Sequence, residues 1–156
     1  MIQITNLVDK ISQLEISGVR VRDMDQIPAA VNVRDCPMLI PEPLNFIQNI
    51  VVVRDAAGAA SYAPKTITYT LNYTFLFAPV GDDRTMGLSQ YADMVKKVFV
   101  ILDAFIANDA MTSGTTYDEI VDITPASVTE FGPVPDPAGG QFLGCRIAFL
   151  VTEFIN

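Results

Sequence analysis

The chain contains no histidine. That absence removes the Ser-His-Asp triad, the Cys-His pair and every histidine-ligated zinc site. None of its six serines lies in a GxSxG elbow, and no glycine-rich loop ends in GK[ST], so the P-loop is missing too. Cysteine is scarce: Cys36 and Cys145 are far apart and neither belongs to a CxxC pair. The N-terminus MIQITNLVDK lacks the basic run and apolar core of an export signal. The two thiols therefore read as reduced, buried small hydrophobes, while a bridge between them requires an adjacency that sequence does not show.

Charge is thin as well. Charged residues make up 18% of the chain, below the ~25% of an average domain. Hydrophobic residues make up 50%, a balance that suits a large core or a surface hidden against partners. The 18 acidic side chains outnumber the 10 basic ones and give a net charge of −8. Phosphate neutralisation needs clustered Lys and Arg, and the only tight basic pair is Lys96-Lys97, so a nucleic-acid clamp is disfavoured. The most membrane-like run, VFVILDAFI, is short and interrupted by Asp103, so no bilayer span is expected.

What is present is patterned. The stretch TITYTLNYTFLF (66–77) alternates Ile67, Tyr69, Leu71, Tyr73, Phe75 and Phe77 with Thr66, Thr68, Thr70, Asn72 and Thr74. Successive side chains of a strand point to opposite faces, so one face is apolar and aromatic, the other neutral and hydroxyl-rich. Only Leu76 breaks the rule. FIQNIVVVR (46–54) is β-branched and strand-like, and pairs with 66–77 as a long hairpin across DAAGAASYAPK. GVRVRD predicts a short strand with Val19 and Val21 inward. Cys36–Ile40 gives another within the proline-rich 23–45. Residues 117–131 predict a strand interrupted at Pro125. FLGCRIAFLVTEFIN closes the chain with Cys145, Ile147, Phe149 and Val151 on one face.

Two segments read as amphipathic helices. Ile4, Leu7, Val8, Ile11 and Leu14 recur at helical spacing, with Thr5 or Asn6 as the cap and Gly18 as the stop. LSQYADMVKKVFVILDAFIAND carries a broad apolar stripe through Leu88, Tyr91, Met94, Val95, Val98, Phe99, Leu102, Phe105 and Ile106. PVGDDRT, AMTSGTTY and GPVPDPAGG read as connections. The 156 residues fit one domain, 1–156. Helix, several strands, helix and two strands predict an α+β two-layer sandwich: a mixed or mostly antiparallel sheet with both helices on one face.

The catalytic raw material is limited to carboxylates. Asp23 with Asp25, and Asp82 with Asp83, are either solvated turn residues or the seed of a divalent-ion or acid/base site; neither pair has EF-hand spacing. GGQFLG (139–144) precedes a strand instead of opening a helix, so a plain turn outweighs a phosphate loop. The aromatics of 66–77 lack interleaved Lys or Arg, which favours core over base stacking. No catalytic residue, metal ligand or cofactor is expected.

Three strings, MLIPEP, YTFLFAPVG and the closing FxGCxIxFxVTEFxN, together with the order of elements, resemble the small tail-terminator (tail completion, minor tail protein U-like) proteins of long-tailed bacteriophages. The resemblance spans nearly the whole chain. It implies a non-enzymatic virion protein of the tail and neck, assembled in the host cytoplasm. Such proteins form a ring, a hexamer in the family's outline, that caps the tail tube, ends its growth and joins it to the head-side connector. The implied partners are further copies of itself, the tail tube protein and the connector, with DNA passing through the lumen unbound and no membrane. Another ring-forming neck or head-tail connector protein is the nearest alternative; a small carboxylate-dependent metal-binding protein or enzyme is the different one.

Exposure arguments select candidate interface residues. The neutral strand face offers Thr68, Thr70 and Asn72. The polar turns offer Asp55, Asp82, Asp83 and Arg84. The proline-rich segments 37–43 and 132–139, rigid and low in ordering cost, offer Pro41, Glu42, Pro133 and Pro135.

Overall fold

The computed structural model describes residues 4–54, 65–80, 84–108, 110–112 and 119–155. Its elements run α1 (Ile4–Ser12), β1 (Arg20–Val21), β2 (Met38–Pro41), β3 (Ile47–Arg54), β4 (Lys65–Pro79), α2 (Arg84–Ala107), β5 (Ala110–Thr112), β6 (Glu119–Pro135) and β7 (Gln141–Ile155), with single 3-10 turns at Met24–Gln26 and Val33–Asp35. The strands form one seven-stranded sheet ordered β1-β2-β4-β7-β6-β5, and β3 also pairs with β4. Among the described residues β1 and β2 are the one parallel pair. β2 and β3 follow one another along the same edge of β4, opposite residues 73–76 and 65–71. Both helices supply side chains to a core on one sheet face, so the α+β two-layer sandwich read from sequence is the fold.

The odd positions of β4 explain the core. Tyr69, Leu71, Tyr73 and Phe75 are buried beside Ile147, Phe149 and Val151 of β7. Leu7, Val8 and Ile11 of α1 and Met94, Val98, Ile101 and Phe105 of α2 cover them. Phe149 is the hub, with its ring centroid 4.1 Å from Phe105 and 5.5 Å from Tyr73. Such contacts add to the stabilisation from area burial alone.

Several boundaries differ from the sequence reading. α1 ends at Ser12, and Thr5 and Asn6 lie inside it instead of capping it. Gly18 does not close the helix: at φ +70° it turns the chain between Ile16 and Val19, which form an isolated bridge. α2 begins at Arg84, four residues before Leu88, and Ile101 joins its buried stripe. β5 occupies Ala110–Thr112, where a loop was expected. β6 absorbs Pro125 and continues through Pro133 to Pro135. Proline is compatible with this strand because β5 pairs only with residues 120–122, which leaves the outer edge beyond them without a partner strand among the described residues.

Leu76 breaks the alternation because the sheet has a second, smaller core at that end. On the face away from the helices Leu76 packs with Val31, Met38, Ile40, Val134 and Phe142. The segment 27–37 straps across it, tied down where Val31 N donates to Asp136 Oδ2 at 2.9 Å. The carboxylate of Asp136 also accepts from Ala138 N and Gly140 N at 3.1 and 2.6 Å, so one buried side chain anchors both strap and β6–β7 turn.

Candidate functional site

The register of β4, β7 and β6 builds a continuous surface on the helix-free face, uncharged except for Asp122 at its β6 margin. Thr68 of β4 stands opposite Thr152 of β7, which stands opposite Asp122 of β6. The next row is Thr70, Leu150 and Thr124; beyond it Ala148 stands opposite Ser127. Hydroxyls and methyls on a flat sheet cost little to desolvate compared with charges, which are depleted from the centres of protein interfaces. Such a surface can carry shape-complementary protein contact, and Asp122 is the one carboxylate in these rows.

At the strap end the face changes character. A cavity of about 500 Å³ opens there, walled by Ile40, Pro43, Val134 and Pro135. Arg146 lies at its floor: Nη2 donates to Glu42 Oε1, and Nε lies 3.5 Å from Glu130 Oε2. Glu130 holds φ +58° at a bulge of β6, a conformation that disfavours non-glycine residues. Glu42 Oε2 is shielded from solvent and has no hydrogen-bond partner among the described residues. One cation thus serves two carboxylates beside an apolar wall, an arrangement that fixes β2, β6 and β7 to each other.

The candidate residues distribute unevenly over this geometry. Thr68 and Thr70 are half-buried on the uncharged face, beside Val51 and Gln48 of β3. Asn72 is not available to a partner: it is buried, and its amide donates to Asn45 O at 2.8 Å. Pro41 is buried in β2 opposite Tyr73, so it offers no docking surface. Glu42 is committed to Arg146. Pro133 and Pro135 are exposed on β6. Arg84 opens α2; Asp55, Asp82 and Asp83 lie outside the described residues.

Of the remaining carboxylates, Asp23 caps the first 3-10 turn, accepting from Met24 N at 2.7 Å, and Asp25 stands exposed within that turn. Among the described residues no group of three or more His, Cys, Asp or Glu side chains is placed to hold a metal ion. Burial pushes the Cys145 thiol up to about 12, so it stays protonated and is a poor nucleophile at neutral pH. No described helix is long and apolar enough to cross a membrane.

Sequence reasoning overlooked two features. Glu153 continues the buried face of β7 and receives the Tyr69 hydroxyl at 2.9 Å; its two-residue offset from Val151 was the available signal. The other is Asp136, whose position between two prolines looked like an ordinary turn. The chain matches no protein-family model, no curated protein and no solved structure.

Proposed function

We propose that the protein is a non-enzymatic structural component of a long-tailed phage virion, a tail-terminator-like subunit. It assembles with copies of itself into a ring that caps the tail tube, ends its growth and docks the head-side connector. The observation that carries the reading is the placement of the three resemblance strings. Residues 38–41 of MLIPEP are β2, residues 73–79 of YTFLFAPVG are the second half of β4, and residues 142–155 of FxGCxIxFxVTEFxN lie in β7. Those three strands lie side by side, so strings scattered over the chain converge on the sheet's centre. The uncharged Thr face adds support, since it suits protein contact more than chemistry. In a closed ring the net charge of −8 keeps DNA moving through the lumen by repulsion.

Solution mass and negative-stain images, with and without isolated tail tubes, test the reading. The expected result is a closed ring, free or seated on the tube end. A protein that stays monomeric and leaves tail tubes bare overturns it. The surface role of the Thr face is tested by Thr68→Lys with Thr70→Lys: assembly is lost while the isolated fold survives. Location within a virion map separates a terminator from another neck ring.

A further inference from the structure

β3 has the wrong composition for the place it occupies. Its run Ile50-Val51-Val52-Val53 is continuously β-branched, the signature of a strand covered on both faces. Yet β3 is an edge strand, paired with β4 alone among the described residues. Ile50, Val51 and Val52 are 63, 52 and 57% exposed. The register sets Ile47 and Val52 opposite Leu71 and Ile67, so both point toward the helical layer. The chain's own helices leave them uncovered. Edges of this kind are normally blunted with charge or proline; an unblunted one needs a neighbour.

A second apolar surface lies on the opposite flank. Around α2 the buried stripe is Met94, Val98, Ile101 and Phe105. One side of that stripe faces the turn that follows α1: Lys97 Nζ donates to Ser17 O at 3.1 Å. The other side carries Tyr91, Phe99 and Ile106, which are 41, 61 and 63% exposed. Tyr91 reaches Phe131 of β6, with ring centroids 6.4 Å apart, so this flank looks out past β6, away from β3.

We propose that copies of this chain associate head to tail, the β3 edge of one packing beneath the outer flank of α2 in the next. The proposal rests on the ring reading and names its contact surfaces. Two different patches on opposite flanks satisfy each other only through a heterologous contact, which repeats until a ring closes. In that contact the next copy's α2 extends the helical layer over Ile47 and Val52. The seven apolar residues of the two patches leave on the order of 750 Å² uncovered, against about 900 Å² of apolar area in a standard interface. A second copy therefore accounts for both surfaces at the size a stable association needs.

Two variants test this, one per patch: Ile50→Lys/Val52→Lys and Phe99→Lys/Ile106→Lys. Circular dichroism checks that each folds, and the milder Val51→Thr/Val52→Thr and Phe99→Gln/Ile106→Gln pairs give the same readout if a lysine pair does not. Each variant alone breaks every contact and is monomeric under conditions where the parent assembles. Mixed together they retain one intact contact and form a heterodimer of twice the 17.0 kDa chain mass, without a ring. Rings that persist in either variant, or a mixture that stays monomeric while the parent assembles, overturn the pairing and leave the ring reading standing. A parent that assembles neither alone nor on tail tubes overturns both.

Discussion

The hydroxyl of Tyr69 donates to the buried carboxylate of Glu153 at 2.9 Å, across the paired strands β4 and β7. Four residues along the same face, the buried hydroxyl of Tyr73 has no partner among the described residues. The two tyrosines therefore respond oppositely to loss of the hydroxyl. Tyr69→Phe removes a donor from a buried carboxylate and lowers stability by about 2 kcal/mol, whereas Tyr73→Phe is neutral or stabilising by up to about 1 kcal/mol. Urea denaturation midpoints decide both.

Alkaline pH is expected to unfold the protein earlier than its composition suggests. Burial raises Tyr69, Tyr73 and Cys145 above their ordinary ranges, with Glu153 adding to the rise at Tyr69 and Asp23 at Tyr73. Above the unfolded-state values, near 9 for cysteine and 10 for tyrosine, the unfolded chain releases these protons while the folded one keeps them. Stability is fully present below pH 9 and falls as pH rises. Cys145→Ala should flatten the part of the decline between pH 9 and 10, measured as denaturation midpoint against pH.

Gly144 cannot carry a side chain. A Cβ there would stand 1.8 Å from the carbonyl oxygen of Phe75 and 2.8 Å from Val134 Cγ2, and the first of these is backbone. Gly144→Ala therefore separates β4 from β7 or distorts the second core, at a cost of about 3 kcal/mol. Thermal unfolding of the variant measures it.

Asp136 supports two connections at once. Asp136→Ala orphans the N–H groups of Val31, Ala138 and Gly140, and about 3 kcal/mol is lost. Asp136→Asn retains part of the acceptor set and falls between. Because the strap detaches first, limited proteolysis should cut within residues 27–37 before the rest of the chain.

Removal of Arg146 exposes the cost of its carboxylates. Arg146→Met leaves Glu42 shielded and unpaired and destabilises by about 1 to 2 kcal/mol, reduced by partial solvent access. Adding Glu42→Gln recovers much of that loss. A double-mutant cycle in which the two losses simply add would show that the pair is not coupled.

The alternation in residues 66–77 made β4, its buried face and the neutral face legible, because period two is a direct consequence of strand geometry. The two-layer arrangement followed from the two helical stripes. Pro133 and Pro135 hid the end of β6, since proline marks turns in sequence and is tolerated in strands only where an edge is free. Asn72 belonged by pattern to the open face and Pro41 to a rigid proline-rich segment, but Asn72 is hydrogen-bonded to residues 42–46 and Pro41 is buried in β2. Such coverage comes from distant chain segments and leaves no periodic trace. The division of α2 into a buried stripe and an exposed one was also invisible, because Phe99 and Phe105 look alike until the sheet beneath them is known.

Among the described residues the sheet is covered on both faces around Leu76, whereas at β3 Ile50, Val51 and Val52 stand exposed. Amide protons should report this as a gradient along single strands. Those of residues 73–76 exchange only with global unfolding, whereas those of residues 66–70 exchange through local opening. If copies pack on the β3 edge as proposed, slowed exchange in β3 and the facing half of β4 marks the moment of assembly.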